Sequence, residues 1–208
     1  MNRFRIHFSK NDSMRFTSNL DVMRTWERIF RRAKLPIAYS QGFNPHPKFN
    51  LAAPLPLGFT SEAEVLDVWF EKDLQPDFIQ ESIEKTLPPG ITINHIEPID
   101  NNTPKIQKSL FAAEYEIRIG ELPSGLESRI AALLKESTIM RIRRGKKYDL
   151  RPLILEIRLD DEPAKAKGIT ILLKAKPNAT GRPDEVLHAL EIDPLETHIH
   201  RKRLLFNT

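Results

Sequence analysis

Prolines at positions 36, 45, 47, 54 and 56, with glycines at 42 and 58, deny residues 36 to 58 both a continuous helix and a long central strand. The first half of the chain has to fold around that rigid stretch. Upstream of it the pattern is regular. Phe4, Ile6 and Phe8 alternate with Arg3, Arg5 and His7, the period of a half-buried strand with a basic outer edge. Ser18 followed by Asp21 predicts a helix start, and the segment to Lys34 puts Val22, Met23, Trp26, Ile29, Phe30 and Ala33 on one side. Arg24, Arg28, Arg31 and Arg32 fall on the opposite side, so the helix presents an arginine face before Pro36 ends it.

Beyond the rigid stretch, a short extended piece at 49 to 53 is followed by a strand over 64 to 71. A helix over 76 to 87, opened by Pro76 and closed by Pro88-Pro89-Gly90, leads to a strand over 91 to 96. The order strand, helix, strand, strand, helix, strand predicts a ferredoxin-like (βαββαβ) unit over residues 1–100. Residues 101 to 108, polar and containing Pro104, read as a linker. Over 109–208 the order recurs, with strands at 114–119, 139–143, 153–159, 169–174 and 198–206 and helices at 126–137 and 183–190. The expected fold is therefore α+β, two tandem ferredoxin-like units, the second with an extra strand and a basic hairpin; the alternative is one continuous sheet carrying four helices. No residue-level repeat joins the halves, and the expectation rests on element order.

Charge is distributed unevenly. The net charge is +4, yet residues 1–48 hold ten Lys or Arg against three acids, while residues 49–100 hold two against ten. A basic beginning beside an acidic middle points to one positive surface and to phosphate as its partner. With no Cys at all, the chain cannot form disulfides, zinc-thiolate sites or an iron-sulfur cluster of its own, so radical or redox chemistry would fall to a partner. Neither a cofactor nor a metal is expected; His198-x-His200 has suggestive spacing but no third ligand nearby. No apolar run reaches the roughly 20 residues a bilayer requires, and the opening MNRFRIHFSK alternates where a signal peptide would be apolar. A cytoplasmic location away from membranes is expected.

Two segments have the composition of a binding surface. In the first, Gln41, Asn44, His46 and Lys48 are polar groups held on a frame of Gly42, Pro45 and Pro47, just downstream of Arg15, Arg24, Arg28 and Arg31. Rigid display of donors suits a ligand whose contacts must be organised before it arrives. The same prolines also have a purely structural use, stiffening a long connection over packed Phe43, Phe49 and leucines. In the second segment, Arg141, Arg143, Arg144, Lys146, Lys147 and Arg151 surround a turn at Gly145, with Tyr148 available to stack. A basic hairpin can equally be a strand edge protected from pairing. Arg182, ahead of a helix opened by Pro183, is placed to join a phosphate grip. No Walker loop, G-x-S-x-G elbow or H-E-x-x-H is present, and His46 and Asp149 are the acid-base candidates.

The runs Arg15-Phe-Thr-Ser-Asn-Leu-Asp21, Arg31-Arg-Ala-Lys-Leu-Pro-Ile-Ala-Tyr-Ser-Gln-Gly-Phe-Asn-Pro-His-Pro-Lys48 and Pro54-Leu-Pro-Leu-Gly58 resemble a bacterial radical-SAM-linked family of unknown function. The likeness extends to Tyr148-Asp-Leu-Arg-Pro152 and Gly181-Arg-Pro183. In that family the domain stands alone or is fused to the end of a radical SAM protein. A His often stands there where this chain has Asn19, so no catalytic duty is placed on that position. The resemblance implies a radical SAM partner supplying the cluster. Together these readings predict an RNA-binding or substrate-presenting module, acting on transfer or ribosomal RNA. The alternative is a metal-independent RNA-modifying or RNA-processing enzyme.

Overall fold

The alternation at the start of the chain becomes β1, Asn2–Lys10, and the capped amphipathic segment becomes α1, Asn19–Arg32. Ser18 is the N-cap, its hydroxyl oxygen accepting from the Asp21 amide, and Lys34 leaves the helix in the left-handed region at φ 55°. The computed structural model describes residues 1–143, 145–160 and 167–207. It is of mixed α+β class and divides into two units, Met1–Ser109 and Leu110–Thr208.

The first unit continues with β2, Phe49–Leu51, β3, Thr60–Phe70, α2, Pro76–Glu84, β4, Ile91–Ile99, and one turn of helix, α3, Ile106–Ser109. Its strands lie in the order β4-β1-β3-β2, every neighbour antiparallel. α1 buries Val22, Trp26, Ile29 and Phe30 against the sheet. Trp26 is flanked by Phe8 and Phe30 at ring distances of 4.9 and 5.4 Å, and Phe30 reaches Phe49 and Phe70 at 5.7 and 6.1 Å. The carboxyl end of α1 is thereby fixed over the end of the sheet where β2 begins and β3 finishes.

The expected basic outer edge of β1 is corrected. Arg3 and Lys10 are buried, at 3% and 2% exposure. The β1–β3 register sets Arg5 opposite Asp67, and this carboxylate, itself 1% exposed, receives Arg3 at 2.5 Å and Arg5 at 2.9 Å. Arg3 also donates to the carbonyls of Thr103 and Pro104, and Ile106 is buried, so the segment predicted to be a linker is fastened to the first unit. A buried arginine is tolerable only where its donors find acceptors, and here a carboxylate and two carbonyls supply them.

The second unit contains β5, Leu110–Ile119, α4, Leu126–Lys135, β6, Met140–Arg143, β7, Lys146–Asp149, β8, Ile154–Asp160, β9, Gly168–Lys176, β10, Ala179–Thr180, α5, Pro183–Ala189, and β11, Thr197–Phe206. Its main strands are ordered β11-β5-β9-β8, again antiparallel, with β10 also on β9. β6 and β7 form a separate two-stranded hairpin. Gly145 takes φ +75° at its turn, a conformation β-carbon-bearing residues rarely adopt.

Candidate nucleic-acid interface

Residues 38 to 48 form a narrow hairpin-like finger. The Lys48 amide donates to the Ala38 carbonyl at 2.7 Å and the Ser40 amide to the His46 carbonyl at 2.8 Å, while the Ser40 hydroxyl accepts from the His46 amide. Both legs are anchored to Trp69 at the end of β3: the Ala38 amide donates to its carbonyl, and its amide donates to the Lys48 carbonyl. The Trp69 ring also lies within 5.1 Å of the Arg3 guanidinium and 5.0 Å of the Lys48 ammonium. Lys48 therefore braces the root of the finger.

At the tip stand Gln41, Gly42, Phe43, Asn44 and Pro45, all exposed, with Gly42 at φ +126°. Phe43 is fully exposed, contrary to the expectation that it packs beneath the loop, whereas Phe49 is buried as expected. The finger lifts Phe43 away from the core, since the ladder closes at Ser40 and His46, three residues to either side of it. His46 is exposed, and its backbone is what the ladder uses.

The stretch treated as one loop in the sequence is split between the two ends of the first unit. Residues 38 to 48 sit where β3 ends, and residues 54 to 58 sit where it begins. The latter turn is clamped by Arg15, whose Nε donates to the Gly58 carbonyl at 2.7 Å while its own carbonyl accepts from the Gly58 amide. Near that end Phe16, Leu20 and Leu57 are exposed apolar side chains. The outer face of α1 connects the two ends. Arg24 makes a 3.4 Å ion pair with Asp21, as its spacing suggests. Glu27 and Arg31, although four residues apart on the helix, form no ion pair, and the side chains of Arg28, Arg31 and Arg32 are exposed with no hydrogen-bond or ion-pair partner among the described residues. From Arg24 to Arg31 the stripe rises roughly 10 Å.

In the second unit the cations are used differently. Arg151 donates to the Leu134 carbonyl from Nε and from a terminal nitrogen, at 3.2 and 2.9 Å, and to the Ile154 carbonyl at 3.2 Å. It caps the end of α4. Arg182 is held in a two-nitrogen fork by Asp184 at 2.9 and 2.6 Å, and Arg141 by Glu185 at 2.9 Å. The first turn of α5, read as a place for an anion, thus carries two carboxylates. Asp149 accepts from the amides of Ile139 and Arg151, which defines its position structurally.

The register pairs Arg141 with Tyr148 and Arg143 with Lys146, so these four side chains leave one face of the hairpin; Lys147, opposite Ile142, leaves the other. Arg144 lies outside the described residues. Arg143, Lys146 and Tyr148, with Leu153, Asn178 and Thr180, border a cavity of about 510 Å³. Burial, and then the nearby Glu185, hold the Tyr148 phenol above its usual range despite Arg143 and Arg141. The Asn178 side of this cavity was missed in the sequence, because the turn between β9 and β10 carries no charge pattern that marks it.

Among the described residues no group of three His, Asp or Glu side chains is placed to hold a metal ion, and no helix is long and apolar enough to cross a membrane.

These features define an α+β protein whose first unit carries an aromatic-tipped finger and, on α1, three arginines with no ion-pair partner among the described residues. The chain belongs to the bacterial family described as "Uncharacterized protein conserved in bacteria (DUF2344)", which matches residues 3–183. That description carries neither an activity nor a partner. No curated protein matches the chain. Among solved structures it is similar to one chain of the "Crystal Structure of a Cbf5-Nop10-Gar1 Complex", at 12% identity and a TM-score of 0.49, over 97% of this chain and 48% of that one. This chain thus spans about half the length of that neighbour.

Proposed function

We propose that the protein is an RNA-binding or substrate-presenting partner of a radical SAM enzyme engaged in RNA modification. The observation that carries the reading is the α1 face. Arg28, Arg31 and Arg32 have no ion-pair partner among the described residues, and they sit at the end of α1 from which the finger, with Gln41, Asn44, His46 and the bare Phe43 ring, projects. Guanidinium groups for phosphates beside an aromatic for a base is the combination single-stranded RNA binders use. The absence of Cys supports a partner as the source of the cluster.

The reading takes each unit as ferredoxin-like. Supporting this are the orders β4-β1-β3-β2 and β11-β5-β9-β8, each with one helix after its first strand and one before its last. The β6–β7 hairpin is then an insertion between α4 and β8.

The test is a titration of labelled transfer RNA and ribosomal RNA fragments at low salt, by anisotropy. Binding that weakens steeply with salt supports the proposal, and no binding at low salt rejects it. Co-purification with a radical SAM protein tests the partner. For the enzymatic alternative the candidates are Asp149, whose Oδ1 accepts from two amides, and the exposed His46. Mass spectrometry of RNA treated with the protein alone, giving new masses lost in His46→Ala, would favour that alternative.

A further inference from the structure

The cavity of the second unit has walls of three chemical kinds. One is cationic. Arg143 and Lys146 are directly paired across the hairpin, and neither has a hydrogen-bond or ion-pair partner among the described residues. Like charges opposite one another destabilise a hairpin. Arg141, two residues from Arg143 on the same face, is neutralised by Glu185, so acids are within reach of this hairpin and yet leave that pair alone. A second wall is the Tyr148 ring with Leu153, half-buried and apolar. The third is the β9–β10 turn, where the exposed Asn178 amide offers both a donor and an acceptor. A volume of about 510 Å³ falls in the range of small-molecule sites and exceeds what a bare phosphate fills.

We infer that this cavity is a site for one nucleotide unit, its phosphate between Arg143 and Lys146, its base against Tyr148, and the edge of the base facing Asn178. The nucleotide comes either free or as a residue turned out of an RNA strand; the chemistry recognised is the same. Asp149 lies in the same wall, but its Oδ1 already accepts from two amides, which limits its repulsion of the phosphate. The phenol stays protonated at neutral pH, so the ring meets the ligand without a charge of its own. This goes beyond the RNA-binding proposal and does not require it.

Equilibrium dialysis of the full chain against the four nucleoside monophosphates and inorganic phosphate tests the site. It is run in parallel with fluorescence titration of a 2-aminopurine-labelled RNA. Nucleotide binding that Tyr148→Leu weakens roughly 5- to 150-fold, and that Tyr148→Phe retains, identifies a site for free nucleotide. A rise in 2-aminopurine fluorescence, lost in Tyr148→Leu without free-nucleotide binding, identifies a flipped residue. Arg143→Gln with Lys146→Gln, on the hairpin surface, should weaken either one and flatten its salt dependence. Binding of neither ligand, or binding indifferent to both sets of substitutions, overturns the site. RNA binding that ignores Tyr148→Leu would remove the site and keep the RNA proposal. Nucleotide binding by a chain indifferent to RNA would do the opposite.

Discussion

Arg28, Arg31 and Arg32 of α1 and Arg141, Arg151 and Arg182 of the second unit were equal candidates by residue type, and the fold treats them in opposite ways. Arg151, Arg182 and Arg141 are consumed by two carbonyls, Asp184 and Glu185. Arg28, Arg31 and Arg32 are consumed by nothing among the described residues. The difference follows from placement. A guanidinium next to a helix end or an acidic first turn meets acceptors at once, whereas the outer face of α1 offers only Asp21 and Glu27 to four arginines. Like charges three and four residues apart on a helix destabilise it by about 0.2–0.5 kcal/mol per pair, partly offset at its carboxyl end by the dipole. A charge count therefore says little about binding until the internal partners are known.

The comparison can be broken by substitution. Asp67→Ala should have the largest effect. It strands the buried Arg3 guanidinium and should lower unfolding free energy by about 3–5 kcal/mol in a urea titration. Arg151→Ala should cost about 1–3 kcal/mol by losing bonds to the Leu134 and Ile154 carbonyls, and it should leave the salt slope of RNA binding unchanged. Removing Arg28, Arg31 and Arg32 together should do the reverse. Stability should stay within about 0.5 kcal/mol or rise slightly, while each lost phosphate contact flattens the salt slope by about 0.7 for a single strand. Phe43→Ala should change stability by less than about 0.5 kcal/mol and weaken RNA binding, because the exposed ring has only a ligand to stack on.

A smaller effect concerns pH. The Tyr148 phenol is held above its usual 10.0 in the fold, chiefly by burial. The unfolded chain therefore ionises first, and the neutral-phenol contribution to stability, complete below about 10, is lost as pH rises through the folded value. Tyr148→Phe should remove that part of the alkaline loss; an unchanged profile in denaturation curves above pH 10 would contradict the assignment.

Much of the first unit was legible because its signals are local. The alternation of Phe4, Ile6 and Phe8, the Ser18 cap and the buried face through Trp26 and Phe30 each depend on neighbours a few residues away. Gly145 likewise announced its turn. What escaped depends on pairing across the sheet. Arg3 looked like an exposed edge residue until the register placed it beside Asp67, 64 positions away. Phe43 looked like core because its residue type is apolar, and only the Ala38–Lys48 and Ser40–His46 ladder shows that it stands beyond the packed layer. The partners of Arg151 and Arg182 were equally invisible: a carbonyl has no sequence signature, and Asp184 could have pointed elsewhere.

The most direct measurement compares the salt dependence of RNA affinity in two variants, one lacking Arg28, Arg31 and Arg32, the other lacking Arg151 and Arg182. A shallower log-log slope and weaker binding are expected for the first, and the native slope for whatever folded fraction of the second remains. Equal slopes in both, or a loss confined to the second, would contradict the claim that partner-free arginines on α1 are the RNA contacts.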